Sequence, residues 1–372
     1  MKTIVLFSLS KRGAGAGLRK SIAQDLANDG ETNVICIVSD ELDGLSEFII
    51  NNSKISVITL QTGCKYSFIQ KTVKLIFCER YNIKKKINSE KIDMFLEIFS
   101  HPWAHFIVQV LNCDYYATIC HDPKPHSGAS IIDTVVSEYA YKKSNNLVVM
   151  TRSLAQYTSN RFKKDVYYIP HGIFSFYKTG KIEPQRDVNK LIFLFFGRIE
   201  PYKGLDILLE AFSKIEDKSN LELKIMGSGD ITPYEPELKQ EHVFVDNRFI
   251  GDDEIESIFS HRNSVLVLPY KDATQSGVIP IAVDFDMPII ATNTGGLKEQ
   301  LDDGRIGIFC EPNDSQSLRM AMSLFIDDSN RHDKEANKMM QFKEKLRWKK
   351  IIDVLIDEME QRNPLVKKCD DN

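Results

Sequence analysis

The chain alternates short apolar runs with longer amphipathic segments over most of its length. The short runs are apolar on both faces, which is typical of strands in a parallel sheet that helices cover on both sides. The predicted strands are 3–9, 33–39, 56–60, 93–98, 115–119, 147–150 and 166–169 in the first half, and 191–196, 221–226, 265–268, 288–292 and 306–309 in the second. The segments with helical spacing are 18–28, 131–143, 154–162, 204–215, 252–260, 315–326 and 342–362.

This order predicts an α/β fold with two doubly wound, Rossmann-like domains that face each other across a cleft. The alternation is interrupted by a charged segment that contains Gly180, which indicates a linker. We therefore assign 1–175 to an N-terminal Rossmann-like domain, 176–190 to the linker and 191–341 to a C-terminal one. The last segment, 342–372, is predicted to be a helix and tail that pack back toward the N-terminal domain.

Length and charge are consistent with this division. A chain of 372 residues exceeds the size at which one hydrophobic core usually stops growing. The net charge of −4 argues against general nucleic-acid binding. Basic clusters are nevertheless concentrated in the first half, where each is either a solvated face or part of a surface that meets an anionic membrane. These clusters are Lys11-Arg12, Arg19-Lys20, Lys84–Lys86, Lys142-Lys143 and Lys163-Lys164.

The cysteines and the absence of long apolar stretches predict a cytoplasmic location. Seven cysteines show neither paired nor metal-type spacing, which favours reduced, mostly buried thiols. Met1-Lys2 leads directly into a strand-like run, without the apolar region of a signal peptide. No stretch reaches the roughly 20 apolar residues of a spanning helix, so any contact with the inner membrane is expected to be peripheral.

Ligands of parallel sheets bind where strands end and loops lead into helices. The first such junction is 10–20, in which Gly13, Gly15 and Gly17 permit close approach of a phosphate or sugar. A dinucleotide fingerprint needs a further glycine where this chain has Leu18, so NAD binding is disfavoured. A plain tight turn is the alternative interpretation.

A second junction carries two cations. Arg198 follows a predicted strand, and Lys203 stands at the start of the next helix. A guanidinium and an ammonium beside helix amides form a strong site for a diphosphate. The alternative is that both side chains only solvate a loop. The turn MGSGD, with Gly227, is a third junction and is weak evidence by itself.

The stretch PYKDATQSGVIPIA forms the fourth junction. Gly277 lacks a side chain, so the amides from Ser276 to Val278 can approach a phosphate, and the Ser276 hydroxyl can add a hydrogen bond. Together with Arg198 and Lys203, these groups predict a site for a doubly charged leaving group. A nucleoside diphosphate fits best, and no metal-binding pattern accompanies it, so we expect no metal or other cofactor.

Four segments resemble, in order and spacing, the donor half of GT-B glycosyltransferases of the large retaining family 4. They are GRIEPYKGLDILLEAF, MGSGD, VLVLPYKDATQSGVIPIA and MPIIATNTGGLKEQL. The resemblance extends over roughly 191–325. In the N-terminal half it is looser and rests on the glycines of 13–17 and on ICHDP at 119–123.

The resemblance implies a metal-independent transfer, with retained anomeric configuration, of a sugar from a nucleotide diphosphate sugar to a hydroxyl acceptor. Arg198 and Lys203 would hold the diphosphate and stabilise its charge as the glycosidic bond breaks. The amides around Gly277 would bind the same group. Gly15, in the same loop as Gly13, would lie beside the diphosphate or the sugar.

The same resemblance assigns further contacts to the donor. His121 would lie near the donor sugar, although a hydrogen-bonded histidine at a strand end is the plainer interpretation. Arg248 and Phe249 would lie near the edge of the base. Glu299 would contact the ribose or only cap its helix.

One departure from the family concerns two glutamates that family members often carry eight positions apart, and that touch the donor sugar and the ribose. The corresponding positions are Ala273 and Ile281. The chain resembles a subset with ATQSG in place of the first glutamate. Thr274 or Gln275 would then take over the sugar contacts, since an amide both donates and accepts hydrogen bonds.

These observations favour a glycosyltransferase that moves a hexose, with UDP-glucose as the best guess, to a lipid-linked saccharide. The Asn-, Lys- and Ile-rich texture is similar to that of bacterial enzymes of O-antigen or capsule assembly. Two alternatives remain open. The chain is an inactive GT-B subunit that binds a partner enzyme, or it is a nucleotide-sugar epimerase, which would need acid/base carboxylates that the loop around Gln275 lacks.

Overall fold

A computed structural model describes residues 1–51, 54–63, 67–87, 91–121, 123, 131–180, 182 and 190–362. Within these ranges the chain divides into two compact units, one of 1–170 with 347–362 and the other of 171–346. Part of the predicted linker, Asp122 of the ICHDP stretch, and Cys64 and Cys369 lie outside the described residues. Each unit contains one parallel sheet flanked by helices, which confirms the predicted fold class.

The sheet of the N-terminal unit has seven parallel strands in the order β3-β2-β1-β4-β5-β6-β7. Its strands are β1 Lys2–Phe7, β2 Thr32–Ser39, β3 Ile55–Leu60, β4 Ile92–Glu97, β5 Cys113–Ile119, β6 Asn146–Val149 and β7 Val166–Tyr168. Its helices are α1 Ala14–Asn28, α2 Leu45–Asn51, α3 Phe68–Lys74, α4 Arg80–Ile87, α5 Pro102–Val108, α6 Ile131–Lys143 and α7 Arg152–Phe162. A π-helical turn, Leu75–Glu79, joins α3 to α4.

The second unit has six parallel strands in the order β10-β9-β8-β11-β12-β13. They are β8 Leu191–Phe196, β9 Leu221–Met226, β10 Val243–Asp246, β11 Ser264–Leu268, β12 Ile289–Thr292 and β13 Ile308–Cys310. The helices are α8 Leu205–Ser213, α9 Ile255–Phe259, α10 Ile279–Asp284, α11 Leu297–Gln300, α12 Ser315–Asp327 and α13 Arg331–Lys343.

Hydrophobic spacing explains how the helices of the second unit pack on the sheet. In α8 the buried positions are Leu205, Leu208, Leu209 and Phe212, a spacing that places them on one face of the helix. They join one apolar core with Phe193 and Phe195 of β8 and with the buried face of α12. This packing fixes the start of α8, and with it the loop that carries the two predicted cations.

The C-terminal helix corrects one expectation. The predicted single helix 342–362 is interrupted between α13 and α14, Trp348–Arg362. At the interruption the carbonyl of Leu346 accepts a hydrogen bond from the Ile173 amide at 3.0 Å, instead of one from an amide of its own helix. Helix α14 packs on α1 in the N-terminal unit, where Trp348 is fully buried and the Lys349 amide donates to Asp25 Oδ2 at 3.1 Å.

Two further differences concern element boundaries. Helix α1 starts at Ala14 rather than at residue 18, so Gly15 and Gly17 lie in its first turns instead of in a loop. Strand β10 was not predicted from the sequence because it is short and leaves Phe244 and Val245 exposed. No helix within the described ranges is long and apolar enough to span a bilayer.

Candidate functional site

The topology of the second sheet places the predicted junctions side by side. After β8 the chain adds β9 and β10 on one side of that strand, and after β11 it adds β12 and β13 on the other. The neighbouring strands β8 and β11 therefore flank a topological switch point, where ligands of such sheets bind beyond the carboxyl ends. Loop 197–204 follows β8 and loop 269–278 follows β11.

Two glycines allow close backbone contact between loops. Gly204 lies against the loop after β11, and Gly227, after β9, lies against the loop after β8. Gly204 has a φ of 68°, and a Cβ on it would lie 2.0 Å from the carbonyl oxygen of Pro269. Gly227 has a φ of 144°, and its Cβ would lie 1.9 Å from the carbonyl oxygen of Gly197. Both positions require glycine by conformation and by space. The structure thus gives Gly227 a packing role against Gly197. The sequence had suggested a contact with the donor for this glycine, as part of the third junction.

Lys203 is the buried cation of this edge, with 8% of its surface exposed. Its Nζ lies 3.0 Å from the point where a Cβ on Gly197 would stand and 5.2 Å from the centroid of the Tyr270 ring. Burial and, second to it, the positive charge of Arg198 lower the pKa of Lys203 to about 8, while Glu200 partly offsets both effects. The positive charge of the ammonium group is therefore unfavourable in the ligand-free protein, first because it is buried and second because Arg198 is near.

Arg198 is exposed and adds a second positive charge at the same place. Among the described residues, no carboxylate lies within ion-pair distance of Arg198 or Lys203, and neither side chain donates a hydrogen bond. Two neighbouring cations raise each other's energy, and Glu200 offsets this only in part, so an anion that binds both stabilises the pair. The structure thus brings together the two residues that the sequence predicted for a diphosphate.

The predicted phosphate-binding amides need a correction. The Ser276 amide already donates to Gln300 Oε1 at 2.7 Å, and Gln300 Nε2 donates back to the Ser276 carbonyl at 3.0 Å. The Val278 amide donates to the Ser276 hydroxyl at 3.3 Å. Of the three amides, only that of Gly277 donates to no neighbour in the described part of the chain, so it alone is available to a ligand without rearrangement.

Space and polarity around that amide suit a ligand. A Cβ on Gly277 would meet nothing within 4 Å. Gln275, two residues earlier, has a buried Oε1 without a hydrogen-bond partner in the described structure. A buried carbonyl oxygen without a donor costs free energy that a ligand hydroxyl can recover. Thr274 is half-buried beside it.

Ala273 and Ile281, the positions that the sequence resemblance assigns to the two glutamates, are both buried. The carbonyl of Ala273 accepts a hydrogen bond from the Gly296 amide at 3.1 Å. Glutamates at these positions would place carboxylates where buried apolar side chains now lie. Glu299 follows in α11, half-buried and one residue before the glutamine that holds Ser276.

Arg248 has a different environment from the one predicted. Its NH1 and NH2 bind Oε1 and Oε2 of Glu254 at 2.8 and 2.5 Å, and its Nε lies 3.0 Å from Asp246 Oδ1. These hydrogen bonds hold the pKa of Arg248 above its usual range. The guanidinium thus closes the loop after β10, and the neighbouring Phe249, 71% exposed, is the side chain left free to stack on a base.

The N-terminal unit gathers its own candidate residues at the switch point between β1 and β4. The His121 ring stacks on Phe99 with centroids 4.0 Å apart, and its Nε2 lies 2.8 Å from the carbonyl oxygen of Ile98. A Cβ on Gly15 would lie 2.5 Å from Ser10 Oγ and 3.0 Å from Phe99 Cδ2. Phe99, which sequence reasoning missed, is thus the residue that links Gly15 to His121.

Arg19 is a second residue whose role the sequence did not indicate. It is fully buried, and its NH1 donates to the carbonyls of Ser8 and Ser10 at 3.1 and 3.4 Å. Burial lowers its pKa. The guanidinium thereby holds the chain that leads from β1 to Gly13, a residue whose φ of 71° marks the turn into α1.

Candidate metal ligands are absent from the part of the chain that the structure describes: no three His, Cys, Asp or Glu side chains cluster there. Arg198 and Lys203 at the switch point of the second sheet are cationic, although Glu200 lies in the same loop, and the two cations suit an anion directly. The arrangement can bind a diphosphate through Arg198, Lys203 and the Gly277 amide, with Gln275 beside it.

Comparison with known proteins relates the chain to glycosyltransferases. Residues 178–346 match the family model described as glycosyl transferases group 1. The uncharacterized glycosyltransferase MJ1178 of Methanocaldococcus jannaschii is 26% identical over 286 residues, which cover 73% of this chain and 76% of that protein. MJ1607 of the same organism is 28% identical over 147 residues, but the match covers only 38% of this chain and 37% of that protein.

The solved structures extend the likeness to both units. The crystal structure of Alr3699/HepE of Anabaena in complex with UDP-glucose has a TM-score of 0.66 and 15% identity, over 97% of this chain and all of that one. Identity at this level shows a shared fold. The chain therefore has the α/β fold of GT-B glycosyltransferases, and its second unit carries a glycosyl transferases group 1 domain.

Proposed function

We propose that the protein is a retaining, metal-independent glycosyltransferase that moves a hexose from a nucleotide diphosphate sugar to a lipid-linked saccharide. The observation that carries the proposal is the pair of neighbouring cations, Arg198 and Lys203, without a carboxylate partner in the described structure. The pair lies at a sheet edge where ligands of this fold bind. A group that leaves as a nucleoside diphosphate supplies the missing negative charge.

The chemical role of the two cations follows from where charge develops. As the bond between the sugar and the diphosphate breaks, negative charge accumulates on the β-phosphate oxygens. An ammonium and a guanidinium that are already in place stabilise this charge more than they stabilise the intact donor. They take the part that a divalent metal plays in other sites, which is why we propose no metal cofactor.

The donor sugar is proposed to lie against Gln275, and the resemblance to family 4 also implies a sugar contact by His121. The partnerless Oε1 of Gln275 supports the first contact, because a sugar hydroxyl can donate to it. UDP-glucose is the donor that we propose, and the UDP-glucose bound to the HepE relative supports this choice of chemistry. Phe249 would stack on the base.

The acceptor is proposed to be a saccharide on a lipid carrier, in the assembly of O-antigen or another surface polysaccharide. The enzyme would act at the cytoplasmic face of the inner membrane and need no spanning helix. Retention of the anomeric configuration rests on the resemblance of the donor loops to family 4. The acceptor, the pathway, the membrane face and the retention of configuration are all part of this proposal.

An inactive partner subunit is the second candidate, favoured by Ala273 and Ile281 at the glutamate positions. It predicts that nucleotides bind weakly or that bound donor is never consumed. The test incubates the purified chain with UDP-glucose, UDP-galactose and GDP-mannose in the presence of a bacterial lipid extract. Release of UDP or GDP that needs both the extract and Lys203 supports the transferase; no release from any donor supports the inactive subunit.

A further inference from the structure

One surface of the N-terminal unit exposes large apolar side chains along a continuous helical segment. Ile69 and Phe77 are 73% and 72% exposed, and Val73 and Tyr81 are about half exposed. We call these four residues the outer stripe. Single exposed apolar side chains are ordinary, but a contiguous set rimmed by polar groups is typical of a surface that binds a partner.

The π-helical turn keeps the outer stripe in line. Its members are four residues apart, and in an α-helix of 3.6 residues per turn each step of four advances by roughly 40° around the axis. The turn Leu75–Glu79 lies between Val73 and Tyr81. Because its hydrogen bonds span five residues, it rotates less per residue and offsets this drift. The stripe therefore faces one direction over three helical pieces.

The opposite face of the segment is anchored in the core. Leu75, Ile83 and Ile87 are buried against the sheet of the N-terminal unit. The indole of Trp103 donates to Thr72 Oγ1 at 2.9 Å, and Ser67 forms a capping box with Gln70 at the start of α3. These contacts hold the segment in place, so the side chains of the outer stripe cannot turn into the core.

Charge distinguishes this segment from the rest of the protein. Residues 68–87 contain six basic residues and one acidic residue, although the whole chain has a net charge of −4. The acidic residue, Glu79, is paired with Lys74 at 2.8 Å. Lys84, Lys85 and Lys86 at the end of the segment are exposed, and no described residue pairs with them.

We propose that the outer stripe and Lys84–Lys86 together dock on an anionic lipid surface. The apolar side chains would enter the headgroup region while the lysines meet lipid phosphates. A second copy of this chain is a poor occupant, because it would bring the same positive excess to the contact. The proposed function supplies only the reason for the docking, which is access to a lipid-linked acceptor. Binding to the lipid surface itself needs neither donor nor acceptor.

The test measures co-sedimentation of the full chain with vesicles of phosphatidylcholine alone and of its equimolar mixture with phosphatidylglycerol. The apolar variant is Ile69→Ser with Phe77→Ser, and its matched control is Val354→Ser with Phe244→Ser, two exposed residues elsewhere. The charge variant replaces Lys84, Lys85 and Lys86 by Gln. Its control replaces the exposed Lys239, Lys345 and Lys350 by Gln.

We expect binding to the anionic vesicles that weakens with salt. The charge variant should lose about a hundredfold in affinity, at roughly 1 kcal/mol for each lysine, and the apolar variant should also lose binding. Both controls should bind like the wild type. Lys203→Ala should bind vesicles normally, which separates a failure of this proposal from a failure of the proposed transferase.

Three results would overturn the docking. Equal vesicle binding by a variant and its control would show that these residues do not form the docking surface. Absence of binding to any vesicle would show that the surface does not bind lipid. Self-association of the wild type that Phe77→Ser abolishes would assign the stripe to a second copy instead.

Discussion

The side-chain amide of Gln300 pairs with the main chain of Ser276, accepting from its N–H at 2.7 Å and donating to its carbonyl at 3.0 Å. The two residues are 24 positions apart and come from different βα units of the second sheet. The pairing fixes the backbone immediately before Gly277, whose amide is the one left for a ligand. Gln300 is therefore a positioning residue for the donor loop.

We expect Gln300→Leu to loosen this loop without unfolding the unit. The Ser276 amide and carbonyl would lose their partners, so stability should fall by about 1–2 kcal/mol. The KM for the nucleotide sugar should rise more than kcat falls, since Gln300 does not touch the reacting atoms. Urea unfolding and steady-state kinetics check this, with Gln341→Leu at an exposed position as control. Unchanged KM in Gln300→Leu would refute the positioning role.

Gly277 and Gly227 should respond differently to alanine. A methyl group at Gly277 meets nothing within 4 Å, so Gly277→Ala should keep its melting temperature and lose at least about tenfold in UDP affinity if the diphosphate occupies that space. Gly227→Ala should be destabilised by several kcal/mol, because its Cβ would collide with the Gly197 carbonyl. Calorimetry measures both quantities. Normal UDP binding by Gly277→Ala would place the diphosphate elsewhere.

Gln275→Ala should separate sugar recognition from nucleotide recognition. The Oε1 of Gln275 is buried without a partner, so its removal should stabilise the ligand-free protein by roughly 1 kcal/mol. The same change should weaken UDP-glucose binding about tenfold and leave UDP binding unchanged. Titration of both ligands tests this. Equal loss of affinity for the two would rule out a sugar contact by Gln275.

Glu97 should make the stability of the N-terminal unit depend on pH. Burial raises its pKa to about 7, although it accepts hydrogen bonds from the His101 amide, Thr118 and Tyr116. A raised pKa means that the folded state favours the protonated acid, so this stabilisation is complete below about pH 4.5 and is lost as pH rises through about 7.

Glu97→Gln does not ionise, so its stability relative to the wild type should increase by about 3 kcal/mol between pH 4.5 and pH 8. Urea unfolding across this range measures the difference, with the exposed Glu31→Gln as control. A difference that stays constant with pH would show that Glu97 does not titrate in this window.

The fold was predictable where apolar runs are long. Strands β8 and β9 begin and end at the predicted residues, since most of their side chains are buried. Strand β10 escaped because two of its four residues face solvent. Helices α3 and α4 were not predicted either. Their outer stripe makes the segment apolar on two sides, so the helical spacing of the buried residues cannot be recognised in the sequence.

The site was predictable only in part, for a related reason. Strand ends in a parallel sheet converge, so Arg198, Lys203 and the Gly277 loop could be placed together from local sequence. The pairing of Gln300 with Ser276 could not, because nothing near either residue in sequence indicates it. Arg248 likewise looks like a free cation until Glu254 is seen to bind it.

Lys203 gives the central claim a pH dependence. Its pKa of about 8 in the ligand-free protein means that the ammonium loses its proton as pH rises through that value. If the ammonium binds the diphosphate, UDP affinity should be roughly constant between about pH 7 and pH 8, where the terminal phosphate is ionised, and should fall by up to roughly tenfold per pH unit above it. Lys203→Ala should bind weakly at every pH and lack this inflection.

The most direct test of the account is the affinity of the purified chain for UDP, measured by calorimetry at pH 7 in the wild type, Arg198→Ala and Lys203→Ala. Arg305→Ala, which removes an exposed arginine elsewhere in the same unit, is the control. The account predicts tight binding by the wild type and the control, and a loss of roughly 30- to 150-fold in each site variant, because removing either cation costs about 2–3 kcal/mol. Wild-type affinity in both site variants would contradict it.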